Sequence, residues 1–452
     1  MLSRTLIRRP SITPSPRHLW SNDPETAKIR RSLIIYWIRS SVLFWILILL
    51  IALIYLGSGV NPLWHTTSLD VFVTNFDDGL AGSYFLSAFS NTPPGNQTLK
   101  WIFQQPSVLP AELDEQIEDG NAWASVYMNA GTSAHLTQVL QSILSGNATS
   151  LSYNPASAVT IVYDEGRNFN TINGYVLPPI KAAIAVASAQ YAKYFQSQLS
   201  QYSNITLTNV ITSILVASVT HSPISYTNQN LHPATPYAAI LATSLGYLFL
   251  WLIMLALVGA ITRLTQPLAG KIKIIDIVLI RIVNSIFNGL IISLIYSLCV
   301  LWFADFTSPV PFIRFWLFNW LATITFTVII VLLIINLGAL AQLVLQLFLI
   351  INLAAATTNV TIELQNKFYH IGYGLPLYHC FNAGRHLLFG SHTRLNVDIA
   401  VLFAYYFGAT ILTLITGIYR MRKQEQEILE KNRKENQKTN PGIAKKQTNK
   451  KT

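Results

Sequence analysis

Asn284 and Asn288 stand four residues apart inside one long apolar run of the chain, and Gln342 and Gln346 stand four apart inside another. That spacing puts each pair on one helix face. A polar group held in an apolar medium is costly and seeks a partner. Two readings are therefore open: a polar track for a solute, or hydrogen bonds between helices contributing about 0.6 kcal/mol each. Arg385, between Gly384 and His386 in a further apolar stretch, suits a phosphate or a carboxylate; a side chain simply facing water is the alternative. His370, His379, His386 and His392 share that stretch with Cys380. Their spacings repeat no metal-ligand pattern, so no metal and no cofactor is expected. The chain contains no Gly-x4-Gly-Lys-Ser/Thr loop to cradle a nucleotide, no Gly-x-Ser-x-Gly elbow and no His-Glu-x-x-His. It is not expected to be an enzyme.

These residues need elements to hold them. Residues 237–261 contain no charged side chain, and at 1.5 Å per residue they are long enough to cross a hydrocarbon core of roughly 30 Å. Residues 41–57, 282–303, 315–335, 340–358 and 397–419 form similar runs, each expected to be helical because lipid leaves backbone polar groups to be satisfied within the segment. A mean hydropathy of +0.40 agrees with six spans.

The formal charge of +11 invites a nucleic-acid reading, but its distribution argues against one. Residues 1–40 hold eight of the 31 Lys and Arg, residues 262–281 four, and residues 420–452 eleven. Residues 61–236 hold four, against ten acids. A basic excess beside spans marks the cytosolic side, so both termini are expected inside and the 61–236 region outside. The sequons at Asn96, Asn147, Asn204 and Asn359 all fall on that external side, which favours glycosylation in a eukaryotic secretory-pathway membrane, the plasma membrane first. Cys299 and Cys380 both lie beyond the 61–236 region, so that region must fold without disulfides.

The expected fold is an α-helical polytopic membrane protein with six spans, N-in/C-in, and a large α+β extracytosolic domain between spans 1 and 2. Residues 1–40 form a disordered basic cytosolic tail, with a mitochondrial presequence as the other reading. Residues 41–60 are a transmembrane anchor, 61–236 the α+β domain, 237–419 a five-span membrane domain and 420–452 a second basic tail. In the α+β region, strand-like runs are expected at 69–75, 99–105, 122–128 and 158–163, and helix-like runs at 81–90, 111–119, 132–144, 180–199 and 206–219, with the helices on one face of a sheet. Residues 222–236 read as a linker, and 359–396 as an apolar external loop that dips into the interface or packs on the external domain.

Several strings carry a family resemblance: Asn61-Pro62, then Leu69-Asp-Val-Phe-Val-Thr-Asn-Phe-Asp77, Asn121-Ala-Trp-Ala-Ser-Val126 and Tyr163-Asp-Glu-Gly-Arg-Asn168, with Tyr373-Gly-Leu-Pro-Leu-Tyr378, Arg385 and Phe389-Gly390 further on. In these and in the order of its parts, the chain resembles the fungal nitrosoguanidine-resistance family, whose membrane block is similar to ABC-type exporter permeases and phage-infection-protein homologues. The resemblance implies a membrane protein affecting tolerance to toxic compounds, through export or through lipid organisation, without its own ATPase. Its partners would be the lipid bilayer, further copies of itself or other membrane proteins, and a small toxic compound or lipid as substrate. The alternative is a non-transporting organiser whose external domain binds a partner.

Overall fold

A computed structural model describes residues 20, 22–91, 98–145, 153–201, 219–265, 274–304, 311–356, 360–391 and 394–439. All four sequon asparagines, His392 and most of the helix expected at 206–219 lie outside them. The chain forms two compact units, residues 1–53 and 54–452. The first is made mainly of helix α1 (Pro24–Gly57), whose Trp37, Trp45, Leu49 and Leu53 are exposed, an apolar surface suited to contact with lipid.

In the second unit, alternating side chains build a five-stranded mixed sheet. Its elements in chain order are β1 (Asp70–Asn75), α2 (Leu80–Ser90), β2 (Lys100–Gln104), α3 (Pro110–Glu118), β3 (Ala124–Met128), α4 (Thr132–Leu144), β4 (Val159–Tyr163), α5 (Leu177–Ser200) and β5 (Tyr226–Asn230). The strand order is β2-β1-β3-β4-β5, and only the β3–β4 pairing is antiparallel. Val71, Val73, Val126, Met128, Val159 and Ile161 face one side, where Phe85 and Phe89 of α2, Leu136 of α4 and Ile180 and Phe195 of α5 cover them. Phe72, Tyr127 and Val162 face the other side and meet Leu113 and Ile117 of α3. Each such side chain contributes roughly 1.5–3 kcal/mol by leaving water. The helices thus lie on both faces of the sheet and not on one, because α3 follows a parallel crossover to the opposite side. β5 was expected to be linker: its sequence, Tyr-Thr-Asn-Gln-Asn, has no apolar alternation, and it is held at the sheet edge by main-chain pairing with β4 and by polar side-chain bonds such as Gln229 to Asp114 at 2.9 Å and Asn230 to Glu165 at 2.8 Å.

Asp77, just beyond β1, ties two helices to the sheet. Its carboxylate accepts from the Ser133 hydroxyl at 2.5 Å, the Ser133 N–H at 2.9 Å and the Gly82 N–H at 3.1 Å, so it engages the first turns of α2 and α4 together.

The bundle follows: α6 (Leu245–Thr265), α7 (Ile274–Phe303), α8 (Phe312–Leu337), α9 (Ala341–Ala354), α10 (Pro376–Phe389) and α11 (Leu395–Thr439). Tyr247, Trp251 and Met254 of α6 pack with Phe318, Phe326 and Ile330 of α8, Leu345 of α9, Phe381 of α10 and Leu402 of α11. Phe249, Phe287, Ile295, Trp302, Phe407 and Ile411 point outward and are exposed. Among the described residues, six helical stretches are long and apolar enough to cross a membrane: 26–57, 169–200, 245–265, 280–303, 312–354 and 395–417. The chain is a multi-pass helical membrane protein. These are not quite the six expected spans. The stretch 169–200 contains α5, whose apolar face is spent on the sheet. The stretch 312–354 joins two expected spans, which Gly338, at φ +55°, separates into α8 and α9. The 14 residues of α9 cover about 21 Å, short of a full crossing. The expected external loop 359–396 is likewise mostly structured, as the 3-10 segment Lys367–Gly374 and the buried helix α10.

Asp77→Ala is expected to lower the unfolding free energy by roughly 2–3 kcal/mol, the worth of hydrogen bonds to a charged acceptor. Chemical denaturation of the purified protein checks it.

Candidate functional site

Helix α10 has two faces. Leu377, Cys380, Phe381, Gly384 and Leu388 recur at helical spacing and are buried. At Gly384 an added Cβ would sit 2.7 Å from the Tyr247 hydroxyl oxygen, so glycine is what lets α10 lie against α6. Tyr378, Asn382 and Arg385, at i, i+4 and i+7, form a polar face. Pro376 opens the helix and Gly390, at φ +80°, closes it. His379 fixes it laterally: Nδ1 lies 2.7 Å from Asp398 of α11 and Nε2 lies 3.0 Å from the Tyr373 carbonyl, with both side chains of the pair buried.

The turn after β4 meets this face. Asp164 accepts from the Arg167 N–H at 3.2 Å, and Asn168 accepts from the Thr171 N–H at 3.0 Å, shaping a tight turn. At Gly166, whose N–H donates to the His232 carbonyl at 2.8 Å, an added Cβ would lie 2.8 Å from that of Phe389 and 3.0 Å from that of Ser391. Only glycine allows so close an approach. The Arg167 guanidinium stacks 3.8 Å from the Trp123 ring centroid and donates to the Ala122 carbonyl at 2.9 Å. Arg385 donates to the Arg167 carbonyl at 3.1 Å, joining the bundle to the turn.

Between these parts lies a cavity of about 250 Å³. Its described lining includes Arg167, Arg385 and Arg394 against a single carboxylate, Glu363, together with Tyr373, Tyr378, Asn382 and Ser391. Arg385 also borders a smaller void with Glu165, Asn168 and Ser244. Burial pulls the Arg385 guanidinium down to about 10, which still leaves it charged near neutrality. Burial also lowers Arg167; Glu363 and Asp164 oppose that shift, and the positive charge of Arg394 adds to it. Glu363 accepts from the Thr361 hydroxyl. The site is positively charged, rich in donors and partly withdrawn from water.

Of the five residues singled out from sequence, Arg385 is the one in the cavity. Asn288 donates to the carbonyl and side-chain oxygens of Asn284, each at 2.9 Å, and Asn284 is exposed. Gln342 is exposed and Gln346 half-buried; none of the four borders either cavity. The polar ties between helices use other residues: Asn319 donates to Ser297 at 2.9 Å and Asn336 to Thr416 at 3.2 Å. His370 is exposed, His386 bonds the Ser391 carbonyl at 3.0 Å and Cys380 is buried. Among the described residues no three His, Cys, Asp or Glu side chains converge.

Trp123, Arg167, Tyr373, Tyr378 and Arg394 were not singled out as site residues. The signal was present, since four of the five belong to the strings that carry the family resemblance and those strings converge here. Residues 40–411 match the family described as a protein of unknown function, DUF3533. The chain belongs to the DUF3533 family. No curated protein and no solved structure matches it. In this DUF3533 protein every described cavity residue falls within the matched stretch.

His232 supports the turn, its Nδ1 lying 3.5 Å from Asp164. The Asp164 carboxylate raises the His232 pKa above its ordinary 6.5, against the opposing effect of burial. A raised folded-state pKa gives stability that is complete below the unfolded value and lost as pH climbs through the folded one. The thermal midpoint of the purified protein should therefore fall as pH rises above the ordinary histidine range of about 6.5 and through the raised folded-state value, and His232→Gln should flatten that dependence.

Proposed function

We propose that this protein is permease-like and contributes to tolerance of toxic compounds or to membrane lipid homeostasis, using no ATPase of its own and catalysing no reaction. One observation carries the reading: a chain whose outer helix faces are apolar encloses, where its bundle meets its sheet domain, a polar cavity lined by three arginines. An apolar exterior with a buried charged chamber suits a protein that accepts a polar or amphipathic solute from the bilayer region. The Lys/Arg excess at both termini supports a cytosolic location for them and an extracytosolic sheet domain, with α9 and the segment that follows it together completing the even number of crossings this needs. Resemblance to the nitrosoguanidine-resistance family supports the link to toxic compounds and to a fungal plasma membrane.

A second reading, a non-transporting organiser, has its own support. The Asn284–Asn288 pair closes on itself within α7, while Asn319–Ser297 and Asn336–Thr416 tie helices together as glue; none of these groups lines either described cavity.

Labelled-compound efflux and outer-leaflet lipid exposure, measured in cells with and without the protein and then in proteoliposomes, separate the readings. Flux that persists in proteoliposomes is the expected result. Altered lipid exposure in cells with no reconstituted flux would establish the organiser instead.

A further inference from the structure

We infer that the cavity is a binding site for the phosphate group of an amphiphile, held by Arg167, Arg385 and Arg394 with Ser391. This deepens the proposed function, and it rests on that reading for the ligand's arrival from the bilayer.

Charge is the first ground. The described lining carries three guanidinium groups and one carboxylate, a formal excess that a phosphate would balance. Arg394 adds to the depression of the Arg167 pKa, so the two cations repel one another, and an anion between them would relieve that repulsion.

Preorganisation is the second. Trp123 and the Ala122 carbonyl fix Arg167, and the Arg167 carbonyl fixes Arg385. Guanidinium forks held in this way match the oxygens of a phosphate and lose little freedom on binding it. Ser391 gives an independent sign. Its hydroxyl is fully buried, borders the cavity and has no hydrogen-bond partner among the described residues, a condition that costs free energy unless a ligand supplies the partner. Tyr378 and Asn382 add further donors on the same wall.

Size and surroundings give the third ground. At about 250 Å³ the cavity falls just below the roughly 300–1,000 Å³ of sites for drug-sized molecules, so it takes a headgroup and leaves acyl chains outside. Tyr373, in its wall, is exposed, as are Phe368 and Ile371 on the same 3-10 segment. Exposed aromatic and aliphatic side chains beside a charged site are what the bilayer interface favours.

The test is calorimetric titration of the purified full chain in a neutral detergent with dioctanoyl phosphatidic acid, glycerol 3-phosphate and dioctanoylglycerol. Phosphatidic acid should bind, and at least tenfold more tightly than either of the others. Arg394→Gln, at an exposed position, should weaken it about tenfold, and Arg385→Lys, which keeps the charge but loses the fork, by a similar factor. Ser391→Ala should weaken it less. Equal binding of dioctanoylglycerol would overturn the phosphate site. Equal binding of glycerol 3-phosphate would overturn the amphiphile in favour of a soluble phosphate ester. Unchanged affinity in a normally folded Arg394→Gln protein would also sink the assignment. Phosphate-dependent binding without reconstituted flux would overturn transport alone, whereas flux without such binding would overturn this site alone.

Discussion

The contact from the Arg385 guanidinium to the Arg167 carbonyl, 3.1 Å long, sets terms for both halves of the second unit. A cation withdrawn from water is tolerated only where fixed dipoles or counter-charges replace its hydration. Arg385 finds part of that replacement in the sheet domain's backbone, beside the polar Tyr378 of its own helix, so the bundle's charged face depends in part on the sheet domain being seated. Gly166 and Gly384 make that seating possible, one bringing the turn onto Phe389 and Ser391, the other bringing α10 onto Tyr247.

The same constraint explains why α10 exists as a short buried helix. A loop in that position would leave backbone polar groups unsatisfied between an apolar bundle and a packed domain. A helix satisfies its own, and its ends are met locally: the Leu377 N–H donates to the Asn352 side chain at 3.3 Å and the Gly390 N–H to the His386 carbonyl at 2.8 Å. The adjoining 3-10 segment is held by the Tyr405 hydroxyl on the Gly374 carbonyl at 2.6 Å and by the Tyr369 hydroxyl on the Ile54 carbonyl at 2.7 Å. The cavity's walls are thus fixed by hydrogen bonds from several elements, while the surrounding apolar surface is left to lipid.

What could be read in advance followed from one-dimensional signals. The long apolar runs of α6, α7, α8 and α11 need only length to be recognised, and β1, β3 and β4 read as short runs rich in β-branched and aromatic residues, buried on both faces. The failures have matching causes. β5 is polar and owes its conformation to a partner strand. The helix expected at 180–199 is not one of the failures: residues 169–200 are as apolar as a span because they cover a sheet. Arg385 stood out alone because its partner in the cavity wall lies 218 positions away, and no spacing rule joins them. The paired amides attracted notice through helical periodicity, yet periodicity does not say whether a face meets a cavity, a neighbour or lipid.

The central claim is that Arg385 holds the sheet domain's turn against the bundle around a cationic cavity. Amide hydrogen exchange of the full chain in lipid nanodiscs, compared between the wild type and Arg385→Gln, tests it most directly. Faster exchange in residues 163–171 and 360–365, with β1 and β3 unchanged, is the result this account predicts. Unaltered exchange in those segments would contradict it, and so would a change confined to α10.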